Sequence, residues 1–284
     1  MKRFLLLFCL FTNFLLFSQK DTIVYSDLVY AASDRRDLML DIYKLKKDIK
    51  PQLIIWIHGG AWSGGTKTNP PLQILKYGYA MASVDFRLST EAIFPAQIHD
   101  IKAAIRYLKE NAFRYGYQAN KIVIWGSSSG GHLVATTALT NGMEYYEGNL
   151  GEHLHQSSQV DVCIDYFGPT DLTTILQQST PHGLDVRVPA LNKLIGGQPE
   201  QAKDLAMKAS PVFLVNKKSP PLFIVHGEQD NQVPINQSIE LYTEYVRMGR
   251  PVQIEYVKDA GHSHPAYLQK EMLEKVDRFI KTKL

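Results

Sequence analysis

Trp125-Gly126-Ser127-Ser128-Ser129-Gly130-Gly131-His132 joins two unlike stretches of chain. Lys121-Ile122-Val123-Ile124-Trp125 leads into it as a short, apolar, β-prone run. Leu133-Val134-Ala135-Thr136-Thr137-Ala138-Leu139 leads out of it with the pattern of a buried helix. A G-x-S-x-G pattern at a strand-to-helix junction is the context a nucleophile elbow requires. A serine in so sharp a turn lies against its neighbours' backbone, so the flanking positions must be small. Gly126 and Gly130 meet that demand, and Gly131 lets the helix start pack closely. Ser128 then projects from the tip, at a helix N-terminus that favours negative charge. A plain Ser/Gly joint has the same appearance, so the rest of the chain must decide.

Working outward, strand patterns alternate with helix patterns. Residues 22–30 and 38–45 read as an antiparallel hairpin across the polar turn 33–37. Leu53-Ile54-Ile55-Trp56-Ile57 is a continuous apolar strand, as expected when both faces are covered. Further strands are expected at 79–85, 160–167, 221–225 and 252–257. Helices are expected around 71–77, at 95–110 with Ile98, Ile101, Ala104, Ile105 and Leu108 on one stripe, and at 235–248 and 268–281. Residues 172–210 are helical but irregular, punctuated by Pro181, Gly183, Pro189, Gly196 and Gly197, and read as an insertion or small cap. The alternation means an α/β fold: a mostly parallel sheet with helices on both faces, opened by the hairpin, in one domain spanning 20–284. In such sheets function gathers at the carboxyl ends of the strands.

Composition narrows the class. The 284 residues are 45% hydrophobic and 21% charged, with a net charge of +3. That balance is too small, and the basic residues too scattered, for a nucleic-acid binder. Lys2 and Arg3 precede an apolar run from Phe4 to Phe17, and Ser18 and Gln19 close it. Residues 1–19 therefore read as a secretory signal peptide, placing the mature chain outside the cell or in the periplasm. The run is shorter than the roughly 20 residues a spanning helix needs, so no stable membrane span is expected in the mature chain. Cys163 is then the sole mature cysteine; it excludes an intrachain disulfide and reads as a small core residue. His58 and the pair His153 and His155 lack further ligands at metal-like spacing, so no metal and no cofactor are expected.

A serine hydroxyl attacks poorly until a base takes its proton, and the base is normally a histidine oriented by a carboxylate. His226-Gly227-Glu228-Gln229-Asp230 follows an apolar strand, which puts Asp230 at the strand's carboxyl end; Glu228 and Asp171 are rivals. Asp259-Ala260-Gly261-His262-Ser263-His264 follows the last strand, which makes His262 the candidate base and His264 its rival. Negative charge developing on the substrate carbonyl needs preorganised donors. Ser129 N–H, next after the nucleophile, is one candidate; Gly60 and Ala61 N–H, in the loop His58-Gly59-Gly60-Ala61-Trp62, are the others. His58, Trp62 and Phe167 are candidates to shape the substrate pocket, and His58 also reads as bracing the oxyanion loop through hydrogen bonds. His132 reads as packing.

Four blocks carry a family resemblance: His58-Gly59-Gly60-Ala61-Trp62; Asp85-Phe86-Arg87-Leu88 with Phe94-Pro95-Ala96 and Asp100; Gly126 to Gly131; and His226-Gly227-x-x-Asp230 with Gly261-His262. Tyr166 to Leu172 adds to them. Over residues 22–281 the chain resembles the α/β-hydrolase esterases and lipases, the group with hormone-sensitive-lipase-like and feruloyl- and acetylxylan-esterase-like members. The resemblance implies the chain order nucleophile Ser128, acid Asp230, base His262, with oxyanion donors from the Gly60/Ala61 loop. It departs from the group in reading His-Gly-Gly-Ala-Trp rather than His-Gly-Gly-Gly, and in having Ser129 where alanine is common. The implied function is a secreted carboxylic-ester hydrolase acting through an acyl-enzyme on short-chain or carbohydrate-linked acetyl or feruloyl esters. An arylformamidase-like amide hydrolase and a catalytically inactive binding protein on the same fold are the alternatives. Oligomeric state has no signature in the sequence.

Overall fold

The computed structural model describes residues 21–284; the signal-peptide reading of residues 1–19 lies outside them. Eight strands run in chain order as β1 (Thr22–Ala32), β2 (Asp37–Leu45), β3 (Gln52–Ile57), β4 (Tyr79–Val84), β5 (Gln118–Ser127), β6 (Val162–Tyr166), β7 (Leu222–Gly227) and β8 (Val252–Val257). They form one sheet in the order β1-β2-β4-β3-β5-β6-β7-β8. β1 pairs β2 and β2 pairs β4 antiparallel, while every later pairing is parallel. The helices are α1 (Ala96–Glu110), α2 (Ala112–Tyr115), α3 (Ser129–Leu139), α4 (Glu144–Glu147), α5 (Ile175–Gln178), α6 (Pro181–Ile195), α7 (Lys203–Lys208), α8 (Asn236–Arg247) and α9 (Lys270–Lys283).

The apolar strand runs are continuous because both faces of the sheet are buried. On β3, Leu53, Ile55 and Ile57 join a core shared with α1, α3 and α8, whereas Ile54 joins one shared with α9. β5 splits likewise, Ile122 and Ile124 to the first side and Val123 and Trp125 to the second. This is the α/β-hydrolase architecture, and it brings the loops after β3, β5, β7 and β8 to one edge.

Several boundaries differ from expectation. The stretch expected as a helix at 71–77 is a 3-10 turn over Leu72–Tyr77. β5 begins at Gln118, earlier than the apolar run suggested, and Pro265–Leu268 form a 3-10 turn, so the closing helix starts at Lys270. The short helices α2 and α4 carried too little periodicity to be read. Residues 172–210 hold α5, α6 and α7, and α6 runs unbroken through Gly183 and Pro189. Thr180 caps it by accepting the N–H of Gly183, and Pro181 sits in its first turn, where a proline costs nothing. Pro189 removes one interior hydrogen bond. The buried face of Arg187, Ala190, Leu191, Leu194 and Ile195 keeps the helix in place despite that loss.

Candidate active site

The elbow is built by steric demand. Ser128 has φ 55° and ψ −125°, a strained left-handed backbone for a residue with a side chain. Its N–H donates to Tyr166 O at 2.8 Å, which pins the turn to the end of β6. A Cβ on Gly126 would lie 2.4 Å from Gly130 O, and one on Gly130 would lie 2.2 Å from Ile57 O. Only glycine fits at either position. Ser128 is 9% exposed, at the first turn of α3, whose leading N–H groups have no intrahelical acceptor.

The acid and base loops arrive from β7 and β8, pressed together. A Cβ on Gly227 would lie 2.2 Å from Ala260 O, and Gln229 N donates to Ala260 O at 2.9 Å. His262 Nδ1–H donates to Asp230 Oδ2 at 2.7 Å, and Ser128 Oγ–H donates to His262 Nε2 at 3.0 Å. Asp230 Oδ1 accepts from the N–H groups of Gln232 at 2.8 Å and Val233 at 2.9 Å. Burial pushes the Asp230 carboxyl up, but the His262 hydrogen bond and charge, with the Val233 N–H, outweigh it and hold the group below its ordinary value. Beneath it His226 donates to Val233 O at 3.0 Å and accepts from Ser238 at 2.7 Å, so burial keeps the ring neutral under the carboxylate. His226 was legible only as part of the family block; its bracing of the acid loop depends on Ser238, twelve residues on.

The rivals face solvent or are bonded to other groups. Glu228 is exposed to solvent. Asp171 accepts from Thr173 N at 2.8 Å and Thr173 Oγ1 at 2.6 Å. The exposed His264 ring accepts from Ala266 N.

The glycine loop after β3 closes over the elbow. A Cβ on Gly59 would meet Ser127 O at 2.9 Å and the Cβ of Ser128 at 3.2 Å. Gly60 has φ 123°, and its carbonyl accepts from Ser63 N and Gly64 N, which closes a tight turn over Gly60 to Gly64. Ser129 is fully buried, and its hydroxyl has no hydrogen-bond partner among the described residues. Further along, Lys67 anchors the loop: its N–H donates to Asp85 at 2.6 Å, and its Nζ bridges Asp27 and Asp41 at 2.8 Å each.

Two of the three pocket candidates are buried, and of the two readings of His58 the brace fits its surroundings. His58 does not face a substrate: its ring is 6% exposed, stacks on Phe86 at 4.5 Å and binds Gly59 O at 2.8 Å. Trp62 is fully buried, its indole N–H spent on His132 Nδ1 at 2.9 Å. Both prop the loop from behind. Phe167 does line a cavity, of about 190 Å³, beside Ser127 with Trp56, Tyr166, His264 and Tyr267. Its ring also lies 4.7 Å from that of His262. A larger groove of about 510 Å³ lies along α8, lined by Phe213, Ile239 and Glu240, and neither cavity is lined by Ser128, Asp230 or His262. Hydrogen-bond geometry, not size, therefore locates the candidate site. Among the described residues no group of three or more His, Cys, Asp or Glu side chains is placed to hold a metal, and no helix is long and apolar enough to cross a membrane.

Residues 40–245 match the family described as BD-FAE, a stretch running from β2 through the elbow and the acid loop to α8. The chain belongs to the BD-FAE family. A solved structure titled a truncated form of a carbohydrate esterase from gut microbiota superposes with a TM-score of 0.83 at 32% identity, covering 94% of this chain and 98% of that one. A bifunctional GH43-CE protein of Bacteroides eggerthii superposes with a TM-score of 0.78 at 30% identity, covering 92% of this chain and 35% of that one. Esterase LipC of Mycobacterium tuberculosis is 29% identical over 238 residues, 80% of this chain and 56% of LipC. The chain spans about half the length of the curated relatives it matches. In this BD-FAE member the block from Asp85 to Asp100 is structural: Arg87 forks onto the fully buried Asp100, tying the start of α1 to the end of β4.

Proposed function

We propose that this chain is a secreted serine esterase that hydrolyses short-chain carboxylic esters carried by carbohydrate. The observation that carries this reading is the unbroken hydrogen-bonded line from Asp230 through His262 to Ser128. Names of similar proteins support the substrate class: a carbohydrate esterase and a GH43-CE fusion among the solved structures, and an esterase among the relatives. The reading of residues 1–19 as a signal peptide supports action outside the cytoplasm.

In this mechanism Ser128 Oγ attacks the ester carbonyl carbon while His262 Nε2 takes its proton. Asp230 stabilises the resulting imidazolium through Nδ1–H. The carbonyl oxygen, now negative, is met by the N–H groups of Ser129, Gly60 and Ala61. His262 then gives its proton to the leaving alcohol oxygen as the carbon–oxygen bond breaks, leaving an acyl-Ser128. Water, deprotonated by His262, attacks that acyl group, and as the bond to Ser128 Oγ breaks His262 returns the proton to Oγ, releasing the acid and free Ser128. Phe167, against the His262 ring, and the aromatic cavity beside Ser127 form the wall that meets the ester.

Replacing Ser128 by alanine tests the proposal. The variant should keep the wild-type melting temperature and lose hydrolysis of 4-nitrophenyl acetate and labelling by a fluorophosphonate. Retained hydrolysis in the folded variant overturns it.

A further inference from the structure

Arg187, on the inner face of α6, is 1% exposed, and its Nε and Nη1 are buried without a hydrogen-bond partner among the described residues. The other buried cations each hold a carboxylate, although Arg106 Nε also lacks a hydrogen-bond partner among the described residues. Lys67 holds Asp27 and Asp41, Lys102 holds Thr140 O and Glu147, and Arg106 holds Glu147 and Leu150 O. In place of such partners Arg187 has the face of Trp62, 5.7 Å from its guanidinium carbon. Burial lowers its pKa to about 10, opposed by the charge of Asp230. Yet the Asp230 oxygens are already occupied by His262, Gln232 and Val233. A desolvated cation without a paired anion is strongly destabilising, and a chain that keeps one in place draws the compensation from elsewhere.

The position of α6 shows where such a partner comes from. The helix runs from the acid loop after β7 to the loop that precedes α1. At its start Thr180 Oγ1 donates to Asn231 O at 2.7 Å, and Gly183 lies so close that a Cβ would be 3.1 Å from Gln232 O. At its end Leu194 O accepts from Phe94 N at 2.8 Å. Arg187 lies between these ties, over the residue that follows Ala61 of the glycine loop. Its guanidinium thus lies against Trp62, next in the chain to Ala61, and feels the charge of Asp230 in the acid loop.

We propose that Arg187 is a specificity-determining residue that receives a carboxylate carried by the ester substrate. The proposal rests on the reading of Ser128 as an esterase nucleophile. The planar guanidinium offers parallel N–H donors that match a carboxylate in two hydrogen bonds, and the paired charges satisfy each other in a water-poor setting. A neutral sugar hydroxyl would satisfy a donor and leave the charge unpaired. The implied substrates are esters of sugar acids, with the carboxylate in the alcohol half, or half-esters of dicarboxylic acids, with it in the acyl half.

Two matched pairs of esters separate these sources: 4-nitrophenyl hemisuccinate against 4-nitrophenyl butyrate, and acetylated glucuronate against acetylated glucose. Wild type should prefer the charged member of one pair, and the pair identifies the half that carries the carboxylate. In Arg187→Met the ratio of kcat/KM for charged over neutral member should fall roughly 10- to 100-fold, with partial recovery in Arg187→Lys. The melting temperature of Arg187→Met should match or exceed that of wild type, because an unpaired buried charge is removed. Wild type showing no charged preference in either pair overturns the proposal without any variant. So does an unchanged ratio in Arg187→Met together with a lowered melting temperature, which marks a purely structural arginine. Failure of the esterase reading is distinct, since wild type would then turn over none of the four esters.

Discussion

Trp62 donates its indole N–H to His132 Nδ1 at 2.9 Å, and His132 in turn reaches Ala209 O at 2.6 Å from Nε2. One buried imidazole thus joins the loop over the serine, the helix behind it and the segment that follows α7. Burial holds His132 neutral, its pKa lowered to about 4. The ring therefore works as one donor and one acceptor.

His132→Phe leaves the indole N–H and the Ala209 carbonyl buried and unpaired, and should cost about 2–4 kcal/mol of stability at neutral pH. The pH dependence has a definite sign. The unfolded chain protonates this histidine near its ordinary 6.5, and the folded chain only near 4. Wild type therefore loses stability as pH falls from about 6.5 to 4, a loss the phenylalanine variant lacks. Urea unfolding at about pH 7 and pH 4.5 should show the gap between the two proteins narrowing on the acid side.

Asp230→Asn keeps an acceptor for the N–H groups of Gln232 and Val233 while offering an amide N–H to His262 Nδ1. That favours the tautomer with the proton on Nε2, which cannot accept from Ser128. The turnover of an aryl acetate should fall about 10⁴-fold with the fold intact. A loss smaller than tenfold would remove Asp230 from the triad.

Gly60→Ala puts a Cβ where Gly64 O lies 2.3 Å away, at a φ of 123° that side chains rarely adopt. The loop must shift, and its N–H groups leave the carbonyl oxygen they would meet. Roughly a 10²- to 10³-fold drop in kcat is expected. The Lys67 and Asp85 anchors keep the loop's far end in place, so circular dichroism should be unchanged.

Asp165, fully buried on β6, accepts the N–H of Gly168 on one carboxylate oxygen at 2.9 Å, and its other oxygen has no partner among the described residues. Burial raises its pKa to about 7. Because the folded value lies above the unfolded one, wild type loses stability as pH rises from about 4 to 7. Asp165→Asn retains the acceptor without the charge. Its stability relative to wild type should grow across that window, by no more than about 4 kcal/mol, and then level off. Thermal melts between pH 5 and 8 read this directly.

The strand-helix alternation and the elbow were legible because each rests on local chemistry: apolar runs, glycines at a sharp turn, loops at strand ends. Asp230 and His262 were legible for the same reason, as polar residues just past apolar strands. As pocket candidates Trp62 and His58 misled because their surroundings are distant in sequence, whereas the reading of His58 as a brace of the glycine loop agrees with its bond to Gly59 O. Trp62 finds His132 seventy residues on, and His58 stacks on Phe86. Arg187 gave no signal at all. It lies in a segment whose prolines and glycines read as breaks, and only the packing of α6 over the site turns its side chain inward.

Lys67 ties the loop that covers Ser128 to carboxylates of the first two strands, one of which, Asp27, lies ahead of the family match at residue 40. The opening hairpin is therefore more than an edge to the sheet. Shortened chains beginning near residue 40 would retain the serine, aspartate and histidine yet lose one of the two tethers on Lys67. They should survive as folded proteins that turn over slowly, so the boundary of the working unit lies ahead of the boundary of family likeness.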